Sequence, residues 1–459
     1  VANVEILMMS LAQELAAFVT GPSSRELPTL ALERAKMSLA STVASAAAGV
    51  AIPSARIVRE LEGAAGGTEE ATVWFSRARL PARSAARCNA MASDAAASDD
   101  SDMRSIAHIG TIVSASTLAV AESKGLAGRD VLRAMVLGYE VAGRLDEALT
   151  PGRMQRGFHG SVSTVFGAAV ATATLLGLDA DRMAHAIAIA ATSIGGIAIS
   201  ADTSWAREYH AGLSALTGVS AAQAAERGFT AELAVLDAPR GFLCAMGGEL
   251  TGDITEGLGT SWDIVTDMAI KLMPGGHPYH AIAEAAAEAA IAGNVDPAQV
   301  ERVVLSAAQL RHLHGPTHPT DLIGAAHSVV YFAAAAVVDR GFRWDHITSA
   351  EKMADPTIRL LLDKVEIDPD PPPLPDRFPH RHGGTVTIVM NDGRRFSHTC
   401  KAPRGSGARG IDWADVDAKY RHLVPMAGLA ADGIESSLAL LHGFDTAADV
   451  VALANVLRS

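Results

Sequence analysis

The sequence predicts a mainly α protein, with a large all-helical domain formed by the N- and C-terminal parts of the chain and a smaller α+β domain inserted between them. Three observations carry this expectation. The 459 residues are too many for one ordinary core. Ala, Leu and Val dominate while aromatics are only 5%, which favours close-packed helices because alanine loses no side-chain entropy in a helix. Alternation of β-branched residues is confined to a stretch after about residue 267. With 49% hydrophobic residues the chain has ample material for a large buried core.

From residue 5 to about 265 the pattern is helix punctuated by Gly, Pro and Asp. The opening "VANVEILMMSLAQELAAFVTG" has an apolar face broken by Glu5 and Glu14, without the basic start and cleavage pattern of a signal peptide. Residues 91–110, "MASDAAASDDSDMRSIAHIG", interrupt the helical text with Asp94, Asp99, Asp100, Asp102 and His108. In "LAGRDVLRAMVLGYEVAGRLDEAL" the apolar Val131, Leu132, Met135, Val136, Tyr139 and Leu145 fall mostly at helical spacings. "GSVSTVFGAAVATATLLGL" and "GLDADRMAHAIAIAATSIGGIA" read as buried helices, the second capped by Asp179; both are too short and polar-interrupted for membrane spans.

After residue 267, "VERVVLSAAQ", "KVEIDPD" and "GGTVTIVMNDGRRFSHTC" read as strands, with the turn Asn391–Gly393 closing a hairpin. "AAHSVVYFAAAAVVDRGF" reads as a helix ending near Gly341, and the Pro-rich 368–384 as a surface loop, since proline neither donates to a ladder nor sits inside a helix. Helices return after residue 411. The expected division is therefore 1–267 with 411–459 as the helical domain and 268–410 as a lid-like α+β domain.

A formal charge of −13 excludes the basic surface that nucleic-acid binding needs, and an anionic substrate would require cations placed against the general field. Cys88, Cys244 and Cys400 lie far apart, giving neither a zinc spacing nor a disulfide framework, so a reducing cytoplasm is the expected compartment.

Five places hold polar groups that a helical background does not require: the aspartate tract with Ser101 and His108; "RGFHGSVS" with His159; "SWAREYHAG" with Arg207 and His210; "AIKLMPGGHPYH" with Lys271, His277 and His280; and "HSVVYF" with Tyr331. Each has an ordinary structural reading. Asp99 and Asp100 can cap the next helix, His159 can be a loop side chain, Arg207 and His210 can face solvent, the Gly/Pro run can be a turn, and Tyr331 can be a core aromatic. "HPYH" and "HLHGPTH" offer metal-ligand types without a matching helical carboxylate pattern, so no metal is expected.

Taken in order, these segments resemble the MmgE/PrpD family, which includes methylcitrate dehydratase, cis-aconitate decarboxylase and iminodisuccinate epimerase. The family stretch N-G-x-x-x-H-x-x-D-F-D-D-T, followed by His-Pro, corresponds to "NAMASDAAASDDS" from Asn89 to Ser101 with His108 downstream. "VLGYEVAGRL", "GFHGSVSTVFGAAVATATLLGLDADRMAHAIAIA", "HAGLSALTGVSAAQAAERGFT", "IKLMP" and "AAHSVVY" complete a resemblance over almost the whole chain. Departures occur at Asp94 (histidine in the family), Ala97 (aspartate), Ser98 (aromatic), Arg207 (lysine) and Gly276, the position that is histidine in the decarboxylase.

The resemblance implies a cofactor-independent enzyme acting on a small di- or tricarboxylate at a carbon next to a carboxylate, and a homodimer built through the helical domain. Removing such a proton places charge on the neighbouring carboxylate, so a base and fixed cations are needed. On this reading His159 leads proton transfer, with His108 or His277 as partner acid or base, and Tyr331 donates from the opposite wall. Arg207 and Lys271, with Ser101 and His210, bind substrate, while Asp99 or Asp100 orients a histidine. The departures favour dehydratase-like elimination over decarboxylation. An epimerase using the same proton transfer is the alternative, and a non-catalytic carboxylate-binding paralogue the second.

Overall fold

A computed structural model describes residues 9–104, 106–193, 195–249, 254–374 and 382–458. Their side chains form two buried clusters. The first gathers the helices Leu11–Thr20, Thr29–Gly49, Ala82–Ala95, Ile109–Lys124, Gly128–Leu149, Ser161–Leu175, Ala180–Ala190 and Ala206–Glu226, and takes in Trp413–Leu423 and Ala431–His442 from the chain's end. The second gathers the helices His277–Ala292 and Val329–Asp339 with a small sheet. The protein is thus mainly α with a minor sheet-containing part.

Small residues set the helix spacing in the first cluster. A Cβ on Gly138 would lie 2.5 Å from the carbonyl oxygen of Gly167, and one on Gly218 would lie 2.4 Å from the Cβ of Ala168. Backbones this close leave no room for a methyl group, so Gly138→Ala would have to push two helices apart. Asp179 caps Ala180–Ala190 as expected, its Oδ1 accepting from Arg182 N at 2.9 Å.

Eight strands occur among the described residues: β1 (Ala71–Thr72), β2 (Arg79–Leu80), β3 (Asp100–Asp102), β4 (Met268–Ile270), β5 (Val300–Ser306), β6 (Val365–Ile367), β7 (Gly384–Met390) and β8 (Arg395–Cys400). The main sheet runs β6-β5-β7-β8, with only β5 and β6 parallel. The hairpin anticipated at Asn391–Gly393 joins β7 to β8, with Gly393 at φ 86° where a side chain would be strained. Of the proline-rich stretch 368–384, residues 375–381 lie outside the described residues, and those on either side carry no helix or strand before Gly384. Residues 1–8, where the helical pattern is expected to begin at residue 5, also lie outside, and the first described helix runs from Leu11. Among the described residues no single helix is long and apolar enough to cross a membrane.

The pair that positions the site is β3 with β4, antiparallel, Asp100 opposite Ile270 and Asp102 opposite Met268. Met268 and Ile270 belong to the first buried cluster. On its other side β4 is tied to the chain's last quarter: Ile270 N donates to Gly405 O at 2.8 Å and Gly407 N to Met268 O at 2.9 Å.

Candidate active site

The helix Ala82–Ala95 ends at the aspartate tract, and Ala97, at φ 52°, reverses the chain into β3. This turn runs beside the Lys271 segment: Gly275 N donates to Ala97 O at 2.8 Å and Lys271 N to Asp99 O at 3.2 Å. Asp100 caps the helix Ile109–Lys124, accepting from Gly110 N and Thr111 N at 3.0 Å each. Only glycine fits at 110, where a Cβ would stand 2.1 Å from Asp100 Oδ2. The cap fixes His108, the residue before that helix, against the two preceding carboxylates.

His108 Nδ1 lies 2.7 Å from both Asp94 Oδ1 and Asp99 Oδ2. Asp99 also receives Lys271 Nζ at 2.7 Å and Thr111 Oγ1 at 3.1 Å. Burial opposes charge on the ring, but the two carboxylates outweigh it and lift His108 to about 9. Burial likewise opposes ionisation of Asp99, and His108 with Lys271 holds it well below the usual carboxylate range all the same. The result is a charged imidazolium whose Nε2 has no protein partner among the described residues.

His159 lies alongside, its ring centre 6.2 Å from that of His108 and 6.0 Å from that of His210. Its loop is pinned by His159 N donating to Gly196 O at 3.1 Å and Ala198 N donating to Gly157 O at 2.9 Å. Burial first, then the positive charge of His108 and Arg153, pushes its pKa well below the ordinary histidine value. Ser161 N–H donates to its Nδ1 at 3.3 Å, and Ser161 Oγ lies at the same distance. A neutral ring therefore faces a charged one.

The chain's relatives can be set against this geometry. The model of the MmgE/PrpD N-terminal domain matches residues 13–252 and that of the C-terminal domain matches residues 273–434. The chain belongs to the MmgE/PrpD family. Similar curated proteins include the cis-aconitate decarboxylase of Homo sapiens, 25% identical over 465 residues, covering 99% of this chain and 95% of that protein. The cis-aconitate decarboxylase of Mus musculus is 26% identical over 76% of this chain and 72% of its own length. That of Aspergillus terreus is 25% identical over 86% of this chain and 85% of its own length.

Against the family pattern, the departure at Asp94 has a visible role, since its carboxylate grips His108 and meets Arg207 Nε at 3.4 Å. Arg207 is not solvent-facing: it is buried, with Nη2 donating to the carbonyls of Asp94 at 2.7 Å and Ala95 at 3.3 Å. Lys271 joins the cluster directly, and Asp99 orients His108. Asp100 does not orient a histidine through any direct bond; its carboxylate is spent on the helix cap. His210 is half-buried beside His159, its Nδ1 without a partner among the described residues. His277 is sealed in, 1% exposed, with its ring centre 4.5 Å from that of His280. Burial, then His280 and Lys271, keeps His277 well below the ordinary histidine value. Ser101 is wholly buried in β3 with Oγ unpartnered among the described residues.

Tyr331 requires correction. Its hydroxyl donates to His346 O at 2.7 Å, and its ring stands edge-on to Phe342 inside the second buried cluster, so it is a core aromatic with no hydroxyl to offer a substrate. The alanine-rich helix around it carried that ordinary reading from the start.

One cluster member had no marker in the sequence, and another, His327, lay in the segment singled out for Tyr331. Lys419, on the helix Trp413–Leu423, reaches back across the fold to donate to Ser41 Oγ at 2.7 Å and to Ser98 O. Burial brings it down to about 7, opposed by Asp99. His327 ends the short helix Leu322–Ala326 and lies in the electrostatic reach of Arg207, Lys271 and Asp94.

Ligand atoms of Asp94, Asp99 and His108 all lie within 4.8 Å of one another, close enough for a metal ion. The fit is poor on charge: Lys271 and Arg207 already compensate these carboxylates, and the imidazole nitrogen between them carries a proton. An open cavity of about 920 Å³ lies elsewhere, walled by Leu272, Met273, Glu284, Arg340, Cys400 and Arg409, and none of the clustered histidines lines it.

A second buried polar network hangs from the other end of the same tract. Arg104 pairs with Asp263 at 2.6 Å, Asp267 at 3.0 Å and Glu147, while Asp102 Oδ1 accepts from Arg104 N at 2.9 Å. Burial and then Asp267 raise Asp102 to about 8. Burial raises Asp267 to about 6 against the pull of Arg104.

Proposed function

We propose that this protein is a lyase acting on a small di- or tricarboxylate, breaking a bond next to a carboxylate, with elimination of water as the leading reaction. The observation that carries this is the pairing of a charged imidazole, His108, with a neutral one, His159, at a 6.2 Å ring separation. An elimination through a carbanion needs neutral and charged groups in one cluster, and an environment that pushes pKa values apart keeps both kinds of imidazole side by side. Lys271 and Arg207 are the cations against which substrate carboxylates and the developing charge are stabilised.

Elimination balances simply. The C–H bond next to a carboxylate breaks, its electron pair moves into the carbon–carboxylate system, and a neutral imidazole holds the proton. The electrons then form the carbon–carbon double bond as the neighbouring C–O bond breaks, and the hydroxyl takes the His108 proton and leaves as water. Decarboxylation is the second reading, favoured by the activity for which the curated relatives are named. It would use the same cations and His108 to protonate the carbanion left by carbon dioxide. A homodimer and the absence of an organic cofactor or metal are part of this reading, on family grounds.

Incubation in deuterated water with citrate-, aconitate- and aminosuccinate-type acids tests it. The expected result is an unsaturated acid formed from a hydroxy acid, with His108→Gln slowing it about 10²- to 10⁴-fold. Carbon dioxide release would favour the second reading; deuterium uptake with no bond cleavage would replace both with an epimerase. Inertness towards all these acids would refute the lyase.

A further inference from the structure

We propose that Nε2 of His327 is the base that takes the proton from the substrate carbon. This rests on the lyase reading above and deepens it. A base for that step must be neutral, hold its lone pair on an open nitrogen, and stand with the cations that receive the substrate. The histidines near the cluster can be compared on those terms. His108 is charged. His277 and His280 are sealed, each 1% exposed, and His210, with Nδ1 unpartnered among the described residues, has no bond that fixes its lone pair on one nitrogen. His159 receives Ser161 N–H on Nδ1 at 3.3 Å, which puts its own hydrogen on Nε2 and suits it to donate towards a developing carboxylate charge.

His327 meets all three conditions. Its Nδ1 lies 2.8 Å from the carbonyl oxygen of Ile323. A carbonyl can only accept, so the ring hydrogen is fixed on Nδ1 and the lone pair on Nε2. The residue is half-buried, and Nε2 is neither bonded within the described residues nor among their sealed, unpartnered atoms. Its backbone is held beside the Lys271 segment, because the adjacent Ala326 O accepts from Gly276 N at 2.8 Å. On the other side its helix packs against Ala198–Thr203, which leads into Arg207. Asp321 fixes the start of that helix by accepting from Gly324 N at 2.7 Å.

The electrostatics agree with the geometry. Burial, with Arg207 and Lys271 nearby, draws His327 down to about 4, so it is neutral in the free enzyme. Substrate carboxylates arriving at those cations cancel part of the field that suppresses it, and the ring becomes basic when there is a proton to take. The proton passes from carbon to His327 Nε2, the pair of electrons stays on the substrate until the C–O bond breaks, and His108 gives the hydroxyl its proton. His327 then loses one proton to solvent and His108 regains one, so both rings return to their starting states.

His327→Gln in the full chain is the direct test, read by kcat, KM and deuterium exchange at the substrate carbon. The expected outcome is a loss of about 10²-fold or more in kcat and in exchange, with KM within about threefold and partial rescue of a His327→Gly variant by added imidazole. Exchange at the wild-type rate in His327→Gln overturns the proposal. A wild type that turns over none of the acids overturns this proposal together with the lyase reading, whereas if only the variant does not fold, nitrogen-15 histidine spectra of the wild type decide instead. A neutral Nδ1–H ring at pH 7 whose Nε2 signal moves on adding citrate supports the assignment independently of turnover. A charged ring, or an Nε2 signal indifferent to citrate, overturns it.

Discussion

Asp99 and Asp102 stand three positions apart in one tract, both wholly buried, and their surroundings drive them in opposite directions. Asp99 faces His108 and Lys271 and stays ionised far into acid. Asp102 shares Arg104 with Asp263, Asp267 and Glu147, and takes up a proton at about 8. The residue type is the same; the count of cations per carboxylate differs. A matched cluster stores charge for chemistry, whereas an overdrawn one is held together by protons and serves the fold.

The largest effect in breaking this contrast is expected from Asp99→Asn. It strips His108 and Lys271 of their shared anion, leaving a buried ammonium unpaired, a change that ordinarily costs about 3–5 kcal/mol. Turnover should fall at least about 10²-fold, and denaturant melts should show the stability loss. Asp102→Asn should do the reverse. A carboxyl raised in the folded state loses stability as pH climbs from its unfolded value towards about 8, and an amide has no such slope. The variant should therefore melt higher than wild type at pH 8, by more than at pH 5, with turnover little changed.

Intermediate in size is the alkaline limb of the wild type. His108 is raised from 6.5 to about 9, so its stabilising charge is complete below about 6.5 and is lost as pH rises through about 9. Both kcat and melting temperature should decline across that window. Asp94→Asn sharpens the point by removing one of the two carboxylates, and should move the decline towards neutrality. The smallest effect on turnover is expected from Asp100→Asn: an amide oxygen can accept from only one of Gly110 N and Thr111 N, so a stability loss of about 1–3 kcal/mol with near-normal turnover would separate capping from catalysis.

Much of this was legible before any coordinates. Periodicity marked the helices, the Asn-Asp-Gly turn marked the hairpin, and the density of aspartates before His108 announced both a cap and a partner for an imidazole. What the sequence withholds is contact between distant segments. Arg207 looks like a surface arginine on a helix until the end of Ala82–Ala95 closes over it. His327 opens the segment singled out for Tyr331, and its competence comes from a bond to Ile323 O together with neighbours from another part of the fold. Tyr331, four residues on, has the stronger motif and the poorer position, because its helix turns that side inward to Phe342.

Lys419 lies 321 residues beyond the Ser98 carbonyl it grips, and loop 403–407 clasps β4 from the same late part of the chain. During synthesis the aspartate tract therefore leaves the ribosome long before the segments that close its floor. A copy clipped ahead of the helix Trp413–Leu423 would keep every histidine of the cluster and still be inert, its reaction centre lacking a base plate.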